Sequence, residues 1–329
     1  MMFEQQYLFW LASLLMLVVA VMSWRDKANP RRLTTGLFWA LYALVFFVGD
    51  WTAELIGARS LHIIIGVIVV VMALIAGLGG VKLGSYHQRS REQREASAQR
   101  LRNRLFLPAL AIPVVTVAGV LLINNLPGLQ LALFGAGNHA TLITLFSMTI
   151  GCLVSWLIAL KLTREGPAQS VQEARRLLDA IGWAFILPQL LATLGLLFTT
   201  AGVGTAITHL TETYLAVDSR FAAVATYAIG MALLTMVMGN AFAAFPIVTA
   251  GIGIPILVLQ HHGNPAVMAA IGMFSGYCGT LMTPMAANYN LVPAALLELP
   301  DRNAVIKAQI PTGVLLLIAN IFLLWFLMF

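Results

Sequence analysis

Charge is what this sequence has least of. Of 329 residues only 10% are Asp, Glu, Lys or Arg, while 60% are hydrophobic and the mean hydropathy is +0.88. A soluble domain carries roughly 25% charged residues. The apolar residues fall in blocks of about 17–25, the length a helix needs to cross a hydrocarbon core. That combination excludes a soluble core and implies an all-α polytopic membrane protein. Cysteine is also scarce: Cys152 and Cys278 both lie inside apolar blocks, where a packing role outweighs a disulfide or zinc site. His–Glu–x–x–His, Gly–x–Ser–x–Gly and paired intramembrane aspartates are all missing, so no enzyme is expected. The neighbours His261 and His262 lack the spacing of metal ligands.

The few charges present are placed asymmetrically. Arg25, Lys27, Arg31 and Arg32 follow the first apolar block, and Lys82 to Arg104 hold seven basic residues after the third. Lys161, Arg164, Arg175 and Arg176 follow the fifth, and Arg302 and Lys307 precede the last. Basic loops on alternate sides mark the cytoplasmic face, so the surplus of +6 reports topology and no nucleic-acid partner is expected. Glu4 stands where a signal peptide would be basic, which predicts a retained first span in an inner membrane with its N-terminus outside.

Six spans are predicted at Phe3–Ser23, Leu33–Gly49, Leu61–Val81, Leu105–Ile123, Thr141–Leu162 and Gly182–Thr200. Ser170–Ile181 reads as a short cytoplasmic helix, and Ala201–Arg220 as an outside loop. Residues 221–297 must then cross an odd number of times, because Arg302 and Lys307 belong inside. The alternatives are ten full spans, or eight plus a re-entrant hairpin, and in both the C-terminus lies outside. Four regions follow: 1–104 with a basic arm at 82–104, then 105–220, 221–298 and the closing span 299–329.

Residues 221–297 contain no Asp, Glu, Lys or Arg over 77 positions, yet they are heavily interrupted. Two passages, Met238–Pro255 and Ser275–Asn290, each read as an apolar helix, a short Gly/Asn/Thr/Pro break and another apolar helix. Unwound backbone is costly in lipid and persists only inside protein or along a cavity. Paired breaks of this kind point to a transporter's binding site, where half-helix N-termini can hold an anion without an arginine. The expected polar lining is Asn240, Thr249, Ser275, Thr280, Thr283, Asn288 and Asn290, with Gln189 as a secondary member. Gly239, Gly251, Gly253 and Gly279 are expected to open the backbone, and Pro246 and Pro284 to end half-helices. Without an ionisable group in the membrane, coupling by Na⁺ through neutral oxygens is favoured over a proton relay; no other cofactor is expected.

These same passages carry a resemblance. Leu37–Asp50, Ile186–Gly204, Met238–Pro255 and Ser275–Leu299 resemble a bacterial membrane-protein family whose members are commonly described as one subunit of a 5-oxoproline (pyroglutamate) transporter. The resemblance implies a small carboxylate substrate, a second and smaller membrane subunit as partner, and an oligomeric permease in the lipid bilayer. Gly239–Asn240–Ala241 followed by Gly279–Thr280 and Thr283–Pro284 is more loosely similar to the ion-transporter superfamily of dicarboxylate carriers. Those carriers set a Ser-Asn-Thr tip and a Thr-Pro turn around a carboxylate and Na⁺. The Gly-Asn-Ala tip here lacks both hydroxyls, leaving backbone and Asn240 to bind. A competing reading is a non-transporting assembly or regulatory subunit.

Overall fold

The computed structural model describes residues 3–86, 90–135, 137, 139–214 and 218–329. The described chain is all α, without strands, and seven of its helices are long and apolar enough to cross a membrane. It is a polytopic helical membrane protein. It forms two compact units, Met1–Asp179 and Ala180–Phe329. The second unit takes in the last helix together with residues 221–298, which the charge pattern had set apart from it.

The first unit contains α1 (Gln5–Arg25), α2 (Arg32–Phe47), α3 (Asp50–Ile56), α4 (Ala58–Gly77), α5 (Arg91–Leu101), α6 (Phe106–Asn125), α7 (Pro127–Phe134), α8 (Ala140–Thr163) and α9 (Pro167–Ile181). The first five predicted spans correspond to α1, α2, α4, α6 and α8. Polar residues hold these helices in pairs. Ser13 donates to the Ala43 carbonyl between α1 and α2, and Ser155 to the Pro108 carbonyl between α8 and the start of α6. Gly151 brings α8 against the Ile112 carbonyl, where a methyl group would sit only 2.8 Å away. The basic arm is helical in α5, which opens with a capping box between Ser90 and Gln93; Arg89 lies outside the described residues.

The second unit contains α10 (Leu187–Thr200), α11 (Val203–Tyr214), α12 (Arg220–Met238), α13 (Ala241–Val248), a π-helical continuation (Thr249–Gln260), α14 (Pro265–Leu281), α15 (Leu291–Leu296) and α16 (Ala304–Met328). Its core is Tyr227, Met231, Ile252, Ile256, Leu257 and Met268, closed by Leu324 and Met328 from α16. Two expectations change here. The sixth span is broken: a 3-10 turn over Gly182–Ile186 leads into α10, which has only 14 residues. The expected outside loop Ala201–Arg220 instead holds α11. Both helices follow α13 and its π-helical continuation, with Gly195 beside Ala243, Gly204 beside Ile247, and Ile207 beside Gly251. The break between them is the turn at Ala201–Gly202, where Gly202 has φ +72°.

The second correction concerns the hairpin. Both arms of the turn at Gly239–Asn240 are long enough to cross, since α12 has 19 residues and Ala241–Gln260 has 20. The turn thus joins two helices of span length, and α2 and α14 are shorter apolar helices beside the seven long ones. The π-helix has a local cause. Pro255 has no N–H to give the Gly251 carbonyl, and its ring pushes against that turn. Thr208 of α11 also donates to the Gly251 carbonyl at 2.6 Å.

Candidate functional site

The two interrupted passages meet at one end of the second unit. The opposite end gathers Arg220, Asn264 and Phe329: Arg220 lies over the Phe329 ring at 4.8 Å, and the Asn264 amide donates to the Met328 carbonyl. At the meeting end α12 stops at Gly239, whose N–H closes on the Thr235 carbonyl at 2.7 Å. Gly239 has φ +68°, the left-handed region that favours glycine. A Cβ there would lie 2.5 Å from the Met285 carbonyl oxygen. The absence of a side chain thus lets the hairpin tip touch the unwound segment. Asn240 then caps α13, its Oδ1 accepting from the Phe242 N–H at 2.8 Å.

Met282–Asn290 is unwound but internally tied. Pro284 blocks continuation of α14. The Thr283 hydroxyl donates to the Met236 carbonyl on α12 at 2.8 Å and accepts the Met285 N–H. Asn290 is fully buried, and its Nδ2 donates to the carbonyls of Thr280 at 2.8 Å and Thr283 at 2.6 Å. The Thr280 carbonyl is one that the end of α14 leaves without a helical partner, and the Thr283 carbonyl belongs to the unwound segment itself. Among the described residues the N–H groups of Ala286, Ala287 and Asn288 make no hydrogen bond.

Between tip and unwound segment lies a cleft of about 160 Å³. It is lined by Gly239, Asn240, Phe242, Tyr277, Thr280 and Met285–Tyr289, with Leu187 and Leu191 of α10 along one side. The lining carries no charge. Phe242 and Tyr277 meet edge to face at 6.1 Å. The exposed side chains of Asn288 and Tyr289 stand at the mouth.

A family model described as "Protein of unknown function (DUF979)" matches residues 6–329. The chain belongs to that family. No curated protein and no solved structure matches it.

In this DUF979 member the expected lining residues fall into three groups. Asn240, Thr280 and Asn288 reach the cleft, and Gly239 opens it. Thr283, Pro284 and Asn290 shape the unwound segment from beneath. Thr249 and Ser275 do not line the cleft: Thr249 pairs with the Tyr227 hydroxyl at 3.3 Å, and Ser275 donates within α14 to Ile271 at 3.0 Å. Gln189 is exposed on α10 between two lining leucines. Three glycines expected to open backbone serve close packing instead. Gly251 abuts Gly204, Gly253 receives the Tyr227 ring, and Gly279 lies directly on the Ala232 carbonyl. Pro246 lies inside α13 and does not end it. Phe242, Tyr277 and Tyr289 also line the cleft, but aromatic residues in an apolar block carry no sequence signal that separates lining from packing.

Proposed function

We propose that this chain is a subunit of a secondary transporter that binds a small carboxylate, 5-oxoproline, in the cleft between Gly239–Asn240 and Met285–Tyr289. The observation that carries the reading is the meeting of two helix breaks around a small uncharged cleft. Three unpaired amides, at Ala286, Ala287 and Asn288, offer an anion the donors that an arginine would otherwise supply. The N-terminus of α13 adds the positive end of a helix dipole. Drug-sized ligands occupy pockets of roughly 300–1,000 Å³, so about 160 Å³ favours a compact substrate. The lactam N–H and C=O of 5-oxoproline match the amide side chains of Asn240 and Asn288. No covalent step belongs to this reading.

Helix register supports a site at membrane depth. Gly313 of α16 packs against Met282 at the level of the cleft. From there α16 runs back to Ala304, about 13 Å further at 1.5 Å per residue. With basic residues inside, the cleft faces the inner leaflet of a bacterial inner membrane. Na⁺ is the proposed coupling ion, drawn by neutral oxygens.

The companion subunit remains part of the proposal. Its support is the exposure of the first unit, whose span over Glu95–Asn125 is only 6% buried, which leaves surface for lipid and a membrane partner. The test is uptake of labelled 5-oxoproline into vesicles containing this chain, with and without the companion and a Na⁺ gradient. Asn240→Ala and Asn288→Ala should each abolish uptake while leaving membrane insertion intact. Wild-type uptake in both variants rejects the site.

A further inference from the structure

The first unit holds a buried charged knot that the transport reading does not use. Asp26 follows the end of α1, and Arg175 and Asp179 lie one turn apart on α9. All three are at least nine-tenths buried. A strap over residues 80–86 lies across them. The Thr34 hydroxyl holds its start through the Gly80 carbonyl, and Asn29 holds the Lys82 carbonyl. Gly84 packs so closely on Asp26 and Arg175 that a side chain there has no room.

The two carboxylates are treated unequally. Asp26 accepts from the Ser85 N–H and hydroxyl, the Ala28 N–H and the Arg175 Nη2, the last at 2.6 Å. Asp179 accepts only from neutral donors, the Trp39 indole at 2.8 Å and the Tyr86 hydroxyl at 2.7 Å. The Arg175 Nε lies 3.4 Å from Asp179 but makes no hydrogen bond. One guanidinium thus faces two buried carboxylates and directs its short bond to one of them. Fully ionised, the knot would bury one uncompensated negative charge, which is costly in a low dielectric.

We propose that the knot is a proton-binding site, with the Asp179 carboxyl as the group that takes up and releases the proton. A hydronium ion in the adjoining cleft protonates the Tyr86 hydroxyl oxygen as that hydroxyl passes its own proton to the Asp179 carboxylate, and leaves as water. The carboxyl becomes neutral, and Arg175–Asp26 persists as a balanced pair. That cleft, about 190 Å³, is lined by Met22, Ser85, Tyr86, Gln172 and Arg175, two of which touch Asp179. The titratable and charged groups facing Asp179 are Asp26 from the end of α1, Tyr86 from the strap and Arg175 from its own helix; α2 presents only Trp39. Burial pushes Asp179 above the usual carboxylate value, against Tyr86, Trp39 and Arg175, and Asp26 adds to the rise. Burial also acts on Asp26, but the bonds from Arg175, Ser85 and Ala28 outweigh it and hold that group below the usual value. The site lies in the first unit and stands whether or not the cleft of the second unit binds a carboxylate.

Infrared difference spectroscopy on the full chain in lipid nanodiscs, stepped in pH, reads the proton directly. The expected signal is a carboxylic C=O band that grows as pH falls, starting above the range where exposed carboxylates titrate. Asp179→Asn should remove it and Glu173→Gln should keep it. Trp39→Phe removes a donor that favours the carboxylate without touching the carboxyl, so the band should appear at higher pH. The same band in Asp179→Asn, or a midpoint unmoved in Trp39→Phe, overturns the proposal. Should Asp179→Asn fail to fold, the Trp39→Phe shift decides alone.

Discussion

The two units bury polar groups by opposite means. The first buries full charges, and does so beyond the end of its spans, where a strap and an amphipathic helix close over them. The second buries only neutral polar side chains among its described residues, some inside helices, as Thr235 and Ser275, and some at a helix break, as Thr283 and Asn290. Packing explains the division. In the second unit α12 and Ala241–Gln260 are each 44% buried along their spans, whereas α4 and α8 of the first are each 17% buried. Only an interior made of protein tolerates unwound backbone at membrane depth. The mostly exposed spans of the first unit therefore stay regular, and their ionic chemistry moves to the end.

The largest single loss is expected from the charged knot. Arg175→Met leaves two buried carboxylates without a cation and should destabilise the first unit by about 3–5 kcal/mol, the usual cost of breaking a buried pair. Thermal unfolding in detergent measures it. Lys307→Ala breaks an exposed pair with Asp301, which solvent screens, and should leave stability nearly unchanged. Equal effects would mean that the knot is no more than a surface ion pair.

The knot also sets a pH dependence. Asp26 has its folded value below the usual carboxylate range, so its contribution is present above that range and lost as pH falls through the lowered value. Asp179 is raised, so its ionised form weakens the fold as pH rises through the folded value. Asp26→Asn should therefore lower stability at neutral pH and flatten the acid limb of the unfolding profile. An acid limb as steep as in wild type would place its origin elsewhere.

In the second unit the matching change is Asn290→Ala. It frees the Thr280 and Thr283 carbonyls at once and should cost roughly 1–3 kcal/mol, the penalty for unsatisfied buried acceptors. Because those bonds hold the unwound segment, substrate affinity should fall more than ten-fold with insertion unchanged. Unaltered affinity would show that Met282–Asn290 keeps its shape without them.

The sequence showed the spans well, because lipid imposes a length and a hydropathy that single residues cannot hide. It also placed both breaks, since Gly239, Asn240, Thr283 and Pro284 together leave little besides a turn. It failed where long-range packing decides a residue's part. Gly251 and Gly279 look like Gly239 in sequence, yet only Gly239 has the left-handed backbone and the unwound neighbour. Arg175 and Asp179 look like surface charges of a solvated helix. Their partners, Asp26, Trp39 and Tyr86, are distant in the chain, and no local pattern announces such a contact.

The smallest effects are expected at two positions that composition alone would assign to the site. Ser275 is fully buried and gives its hydroxyl to the carbonyl one turn back in α14. Thr249 meets the Tyr227 hydroxyl inside the bundle, eight residues beyond the end of the tip. Neither contributes an atom to the cleft, and a membrane helix keeps its backbone bonds without these hydroxyls. Ser275→Ala and Thr249→Val should then transport with wild-type affinity, and stability should move by no more than about 1 kcal/mol for each lost hydrogen bond. The pair tests depth. Loss of uptake in either variant, with insertion and stability preserved, would put the substrate along the α12–α14 interface, below the cleft at Gly239 and Met285. In that case the unpaired amides at Ala286–Asn288 would mark an entrance to the pathway, with binding deeper inside.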